Sequence, residues 1–134
     1  MTKKKVIFIC RGNSCRSQMA EGFAKKLYGD HWEAHSAGTA PEGVNPNAVS
    51  VMNEVGIDIS GNKSKVLDQA LLDSADLVVA LCDIQEGCFI LPHTVHYVHC
   101  PVEDPARMAG SENEMFIFRN VRDKIKKLVE ELLS

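Results

Sequence analysis

The 134 residues carry 25% charged side chains and a net charge of -3, with a sequence pI near 5.9, which fits one domain over residues 1–134 with no linker or repeat. Basic residues are scattered apart from Lys3-Lys4-Lys5 and Lys124, Lys126 and Lys127, which argues against nucleic acid; the apolar runs are strand-sized, which argues against a membrane span, and no cleavable signal pattern precedes the first strand. Five cysteines, an odd number without disulfide-scaffold spacing, point to a reducing, cytoplasmic setting in which thiols are kept for chemistry.

The chain opens with Val6-Ile7-Phe8-Ile9, the β-branched and aromatic run of a strand buried on both faces. Next come Cys10-Arg11-Gly12-Asn13-Ser14-Cys15-Arg16-Ser17, and then Met19, Phe23, Ala24 and Leu27 at helical spacing, with Glu21, Lys25 and Lys26 on a wetter face. A loop that feeds a helix N-terminus offers unpaired N–H groups and the positive end of the helix dipole to an anion. Gly12 and Asn13 suit the positive-φ conformations that turn successive N–H groups inward, and Arg16 adds a planar guanidinium that matches an oxyanion. At the floor of this cup Cys10 is expected to be a nucleophilic thiolate, its pKa drawn from ~8.5 to roughly 4–7. Ser17 is placed to donate a hydrogen bond to it. The alternative, a packing cysteine beside an ordinary Gly-Asn turn, does not explain why Cys, Gly, Arg and Ser coincide at spacings that surround one anion. Cys15, at the loop–helix junction, reads as a packing residue.

Further along, Trp32 to Ala37 resembles a second strand ended by Gly38. Asn45-Pro46 starts a helix that Gly56 stops, and Asp68 caps a short helix through Leu72. Asp76 to Leu81 is a second strongly buried strand and Val95 to His99 a weaker one. Ser111-Glu112-Asn113-Glu114 reads as a capping box that opens a terminal helix with Phe118, Val121, Ile125, Leu128 and Leu132 along one face. Strands alternating with helices imply an α/β fold, a parallel sheet covered on both sides, whose ligands bind at the carboxyl ends of the strands. Cys10, Cys82 and Asp104-Pro105 all fall on that edge.

If the first and third strands are neighbours, Cys10 and Cys82 start from strands about 5 Å apart, close to the separation of roughly 4.4–6.8 Å between Cα atoms that a disulfide requires. Once the two were bonded, Cys88 could attack Cys82 and carry the oxidised state outward, through a segment expected to be mobile. Two other readings remain open. Cys82 and Cys88 could simply pack, or a metal could gather Cys82, Cys88, His93, His96, His99 and Cys100. The second lacks the tight ligand pairs of zinc sites, and a strand would place His96 and His99 on opposite faces. Each histidine alone reads as a polar surface residue. Asp104, made extended by Pro105, can hold a carboxyl over the cup as a general acid.

Residues 10–22, Ser36-Ala37-Gly38, Asn45-Pro46-Asn47-Ala48-Val49, Gly56-Ile57-Asp58-Ile59-Ser60, Ala75-Asp76-Leu77-Val78 and Asp104-Pro105-Ala106-Arg107 resemble the thioredoxin-coupled arsenate reductases, over nearly the whole chain. The resemblance implies the low-molecular-weight phosphatase fold, a flavodoxin-like three-layer sandwich with a four-stranded parallel sheet of order 2-1-3-4. It implies Cys10 as nucleophile on arsenate, Arg16 as anion ligand within a cup of Arg11, Gly12, Asn13, Ser14 and Cys15, Ser17 as thiolate partner and Asp104 as acid. Cys82 and Cys88 match the further redox thiols, re-reduced by thioredoxin, and phosphate and sulfate are the competing oxyanions. No cofactor or metal is expected. This chain has one residue fewer between the relay cysteines, Arg11 where Thr is usual, and Cys100 in place of an aromatic-glycine segment. Some members bind potassium through residues matching Asn13, Glu21, Ser36 and an acidic residue; here Lys65 takes the last position, and its ammonium is expected to replace the ion.

Electron counting separates the candidate activities. Phosphoester hydrolysis needs one cysteine, whereas arsenate to arsenite needs two electrons and so at least two thiols. Cys82 and Cys88 therefore favour reduction over a low-molecular-weight tyrosine phosphatase working with Cys10 and Asp104. Ala106 also stands where the phosphatases commonly place an aromatic residue. A third possibility is a thiol binder of metal or arsenite, without turnover.

Overall fold

The computed structural model describes residues 3–82, 96–108, 110 and 112–134. Four parallel strands, β1 (Lys4–Cys10), β2 (Trp32–Gly38), β3 (Leu77–Ala80) and β4 (Tyr97–His99), form one sheet in the order β2-β1-β3-β4. The helices are α1 (Arg16–Tyr28), α2 (Pro46–Asn53), α3 (Gln69–Ser74) and α4 (Glu114–Leu133), with a 3-10 turn at Pro105–Met108.

Strand periodicity divides β1 between two cores. Val6, Phe8 and Cys10 face one cluster with Val79, Met19, Phe23, Phe118 and Ile125, while Ile7 and Ile9 face a smaller one with Val78 and Leu72. Helices α1, α2 and α4 thus cover one side of the sheet and α3 the other, so the expected layered α/β fold and strand order are present. β1 is apolar without alternation because it is buried on both faces: Val6 to Ile9 are at most 1% exposed.

Local signals act where they were expected. Asn45 caps α2 by accepting from Asn47 N–H at 2.8 Å, with Pro46 in the first helical position, and Asp68 caps α3 through Leu71 N–H at 2.7 Å. Gly56, at φ +81°, follows α2 and lets Ile57 N–H close back on the Met52 carbonyl at 3.0 Å. The terminal helix differs. Its N-cap is Asn113, without a side-chain cap bond, and Glu114 accepts from Asn47 Nδ2 at 2.6 Å instead of closing a capping box; Ser111 lies outside the described residues. Its buried face runs Phe118, Val121, Ile125, Val129, Leu133, with Leu128 and Leu132 half-buried. At about 100° per residue Val129 falls only about 20° from Phe118 and Leu128 about 80° away, at the border of the face. In α1, Leu27 is exposed and Glu21 buried, because the start of that helix is enclosed all round by the sheet edge and the loops beside it.

Candidate active site

The loop between β1 and α1 is held from outside by its carbonyl groups. Arg11 O accepts from Ala40 N–H at 2.8 Å, Gly12 O from Glu42 N–H at 2.9 Å and Ser14 O from Asn45 N–H at 3.0 Å, while Asn13 O accepts from Ser64 Oγ at 2.7 Å. In a trans peptide the C=O and the following N–H point in opposite directions. Turning these four carbonyls outward therefore turns the N–H groups of Gly12, Asn13, Ser14 and Cys15 inward, beside the N-terminus of α1. Successive N–H groups turned to one side beside a helix N-terminus favour anions in general.

Asn13 is the non-glycine residue with positive φ (+47°) among those described. Gly12 does not take the expected positive φ, and a Cβ there would lie 3.2 Å from the movable ends of Glu42 and Ser14. Gly38, at the end of β2, is required by close approach, since a Cβ would fall 2.6 Å from Arg11 O and 2.8 Å from Asn13 N.

Cys10 ends β1 at 2% exposure, with its Sγ 2.9 Å from Ser17 Oγ. The direction of that bond follows from its neighbours. Lys65 N–H can only donate, and it reaches Asn13 Oδ1 at 2.7 Å, so the Asn13 amide must turn Nδ2 toward Ser17 Oγ, which accepts it at 2.8 Å. The Ser17 proton is then left to donate to Cys10 Sγ. Gln18 Nε2, donating to Asn13 Oδ1 at 3.0 Å, braces the same amide. Asn13 is thus more than a turn residue, and Gln18 and the Lys65 main chain belong to the support of Cys10. Sequence spacing alone gave no signal for that, since Lys65 is 52 residues away.

Arg16 is 2% exposed; its Nη1 donates to Val102 O at 2.9 Å and lies 3.5 Å from Leu81 O, and its Nη2 is 3.8 Å from Asp104 Oδ2. One guanidinium therefore joins the loop, the end of β3 and the segment that carries Asp104. The other Asp104 oxygen accepts from Ala106 N–H at 3.0 Å. Arg11 is exposed at the rim, and Ser14 is half-buried. Cys15 is buried, and burial pushes its thiol up to about 12, which fits a packing residue. Burial also raises Cys100.

Cys82 is fully buried and disulfide-bonded, whereas Cys10, Cys15 and Cys100 are free thiols. The β1–β3 register pairs Ile9 with Ala80, and Leu81 N–H continues it to Ile9 O at 2.7 Å. Cys82 therefore lies one register step beyond Cys10 on the neighbouring strand. Cys88 and His93 lie outside the described residues. His99 is not a free surface group: its Nε2 is 2.6 Å from the Cys82 carbonyl.

Lys65 Nζ stands 3.8 Å from Glu21 Oε1, which also accepts from Ser36 Oγ at 2.9 Å, and Lys25 Nζ is 3.1 Å from Oε2. Ammonium groups thus flank the buried carboxylate. A surface cavity of about 540 Å³ opens over this cluster, lined by Trp32, Glu33 and His35 among others. Cys10 does not line it, and a tetrahedral oxyanion needs only a niche the size of the loop.

The family model of the low molecular weight phosphotyrosine protein phosphatases matches residues 5–134. An arsenate reductase of Halalkalibacterium halodurans is 50% identical over 132 residues, 97% of this chain and 95% of that one. The solved structure of an arsenate reductase in the phosphate binding state superposes with a TM-score of 0.81 at 38% identity, covering 97% of this chain and 96% of that chain. The thioredoxin-dependent arsenate reductase of Corynebacterium glutamicum gives a TM-score of 0.71 at 25% identity, over 96% of this chain and 61% of that one.

Proposed function

Because the chain belongs to the low molecular weight phosphotyrosine protein phosphatase family, among its arsenate reductases, we propose that it is a cytoplasmic enzyme that reduces arsenate to arsenite with electrons from thioredoxin. The observation that carries this reading is a second sulfur beside the loop: Cys82 lies one register step beyond Cys10 on the neighbouring strand. Hydrolysis needs one thiol, whereas the two electrons that arsenate takes up need two. The phosphate held by one relative and the thioredoxin dependence of another support the substrate class and the reductant.

The N–H groups of the loop and Arg16 hold the oxyanion, and phosphate and sulfate compete for the same cup. Cys10 thiolate attacks arsenic while Asp104 delivers a proton to the departing oxygen, which leaves as water. Cys82 thiolate then attacks the Cys10 sulfur. The sulfur–arsenic bond breaks with its electron pair going to arsenic, so arsenite departs and a Cys10–Cys82 disulfide remains. Cys88 attacks Cys82, freeing Cys10, and thioredoxin reduces the Cys82–Cys88 disulfide. Two thiols supply the two electrons that arsenic gains.

The test is arsenite formation with thioredoxin, thioredoxin reductase and NADPH, set against glutaredoxin with glutathione, for the parent and for Cys10→Ser, Cys82→Ser and Cys88→Ser. Repeated turnover only with thioredoxin, lost in all three variants, is expected. Turnover that survives Cys82→Ser and Cys88→Ser overturns the relay, and aryl-phosphate hydrolysis faster than arsenate reduction would make the protein a phosphatase.

A further inference from the structure

We propose that His99 is a positioning residue for the relay, fixing the main chain of Cys82 at the sheet edge where it must meet Cys10; this rests on the reductase reading above. The Cys82 carbonyl can only accept, so the 2.6 Å contact requires a proton on His99 Nε2 and sets the ring's tautomer when it is neutral. The ring is itself held: it is half-buried and lies 6.3 Å from the Tyr97 ring at an interplanar angle of 22°, on the same face of β4.

The bond continues a seam. Cys100 N–H donates to Ala80 O at 2.9 Å and Val102 N–H to Leu81 O at 3.0 Å, and His99 supplies the third consecutive link, to Cys82 O, by side chain because the strand pairing has ended. Ala80 and Leu81 are thus tied by main chain, and Cys82 by this imidazole. Cys82 must attack a sulfur on the adjoining strand, where a small misplacement of the attacking atom costs rate without touching the oxyanion cup. The expected signature is therefore a change in kcat and not in arsenate KM.

His99→Phe keeps a ring against Tyr97 and removes the donor; His99→Gln returns a donor near the position of Nε2. His99→Asn, whose shorter amide leaves its N–H short of the carbonyl, is a second variant that loses the bond should Phe fold poorly. With thioredoxin in excess, and in stoichiometric reactions in a Cys88→Ser background, the account expects about tenfold slower turnover and Cys10–Cys82 disulfide formation in Phe and Asn. It also expects arsenate KM within about twofold of the parent and recovery in Gln. Parent-like rates in Phe or Asn, or a Gln variant as slow as both, overturn the assignment. If Cys88→Ser alone yields neither arsenite nor the disulfide, the reductase reading has failed and the role of His99 falls with it.

Discussion

Replacing Asn13 separates the two duties the structure gives it, support of the loop and direction of the Ser17 proton. Asn13→Ala removes three side-chain bonds: to Ser17 Oγ at 2.8 Å, from Lys65 N–H at 2.7 Å and from Gln18 Nε2 at 3.0 Å. At about 1 kcal/mol net each, these amount to about 3 kcal/mol. Placing a Cβ-bearing residue without a polar side chain at φ +47° adds about 1 kcal/mol. The sum, about 4 kcal/mol, is a large part of the roughly 5–15 kcal/mol that holds a domain together, yet leaves it folded. Asn13→Gly loses the same bonds without the strain at positive φ, so it should be about 1 kcal/mol more stable than Asn13→Ala, the reverse of their usual order. Asn13→Asp retains acceptors for Lys65 and Gln18 but presents an oxygen to Ser17, whose proton turns away from Cys10. That variant should alkylate more slowly at Cys10 than its stability alone implies. Urea unfolding under reducing conditions, with iodoacetamide labelling of Cys10, reads both effects. An Asn13→Ala variant within about 1 kcal/mol of the parent, or an Asp variant with parental labelling, would refute the hydrogen-bond chain.

Other consequences can be checked independently. Gly38→Ala should cost at least about 2 kcal/mol, because the new Cβ meets Arg11 O and Asn13 N below 3.0 Å, whereas Gly61→Ala, with nothing within 4 Å, should stay within about 0.5 kcal/mol of the parent by urea unfolding. Cys15, whose thiol is pushed up to about 12 by burial, should remain unalkylated in the native protein at pH 8 while Cys10 reacts; peptide mapping decides this. Hydrogen bonds from Arg119, then from Arg122, hold the Glu54 carboxyl below its usual range. A depressed folded value means that the unfolded chain binds the proton more readily, so this contribution is full above the ordinary carboxylate range and is lost as pH falls through the folded value. The stability difference between the parent and Glu54→Gln should therefore be present at pH 7 and shrink on acidification.

The parts of the molecule legible in its residues are those governed by local chemistry. The apolar run of β1, the caps at Asn45 and Asp68 and the turn at Gly56 each act within a few residues, and the structure has them in place. In the Cys10 to Ser17 loop the positive φ of Asn13 and the Ser17 hydroxyl beside Cys10 were legible, while Gly12 does not take the positive φ expected of it. What escaped is what only folding brings together. Asn13 is oriented by the main chain of Lys65, Arg16 is anchored by the carbonyl groups of Leu81 and Val102, and His99, which reads as surface, bonds to Cys82. The terminal helix shows a nearer failure: its N-cap is Asn113, two residues later than the Ser111 start of the expected capping box, and Glu114 has a tertiary partner in Asn47.

The most direct measurement is mass-spectrometric mapping of the Cys88→Ser protein, fully reduced, freed of reductant and mixed with one equivalent of arsenate. The account predicts one arsenite released per chain and a single new disulfide between Cys10 and Cys82. Arsenite formed with both sulfurs still reduced, or a disulfide that leaves Cys10 out, would contradict it.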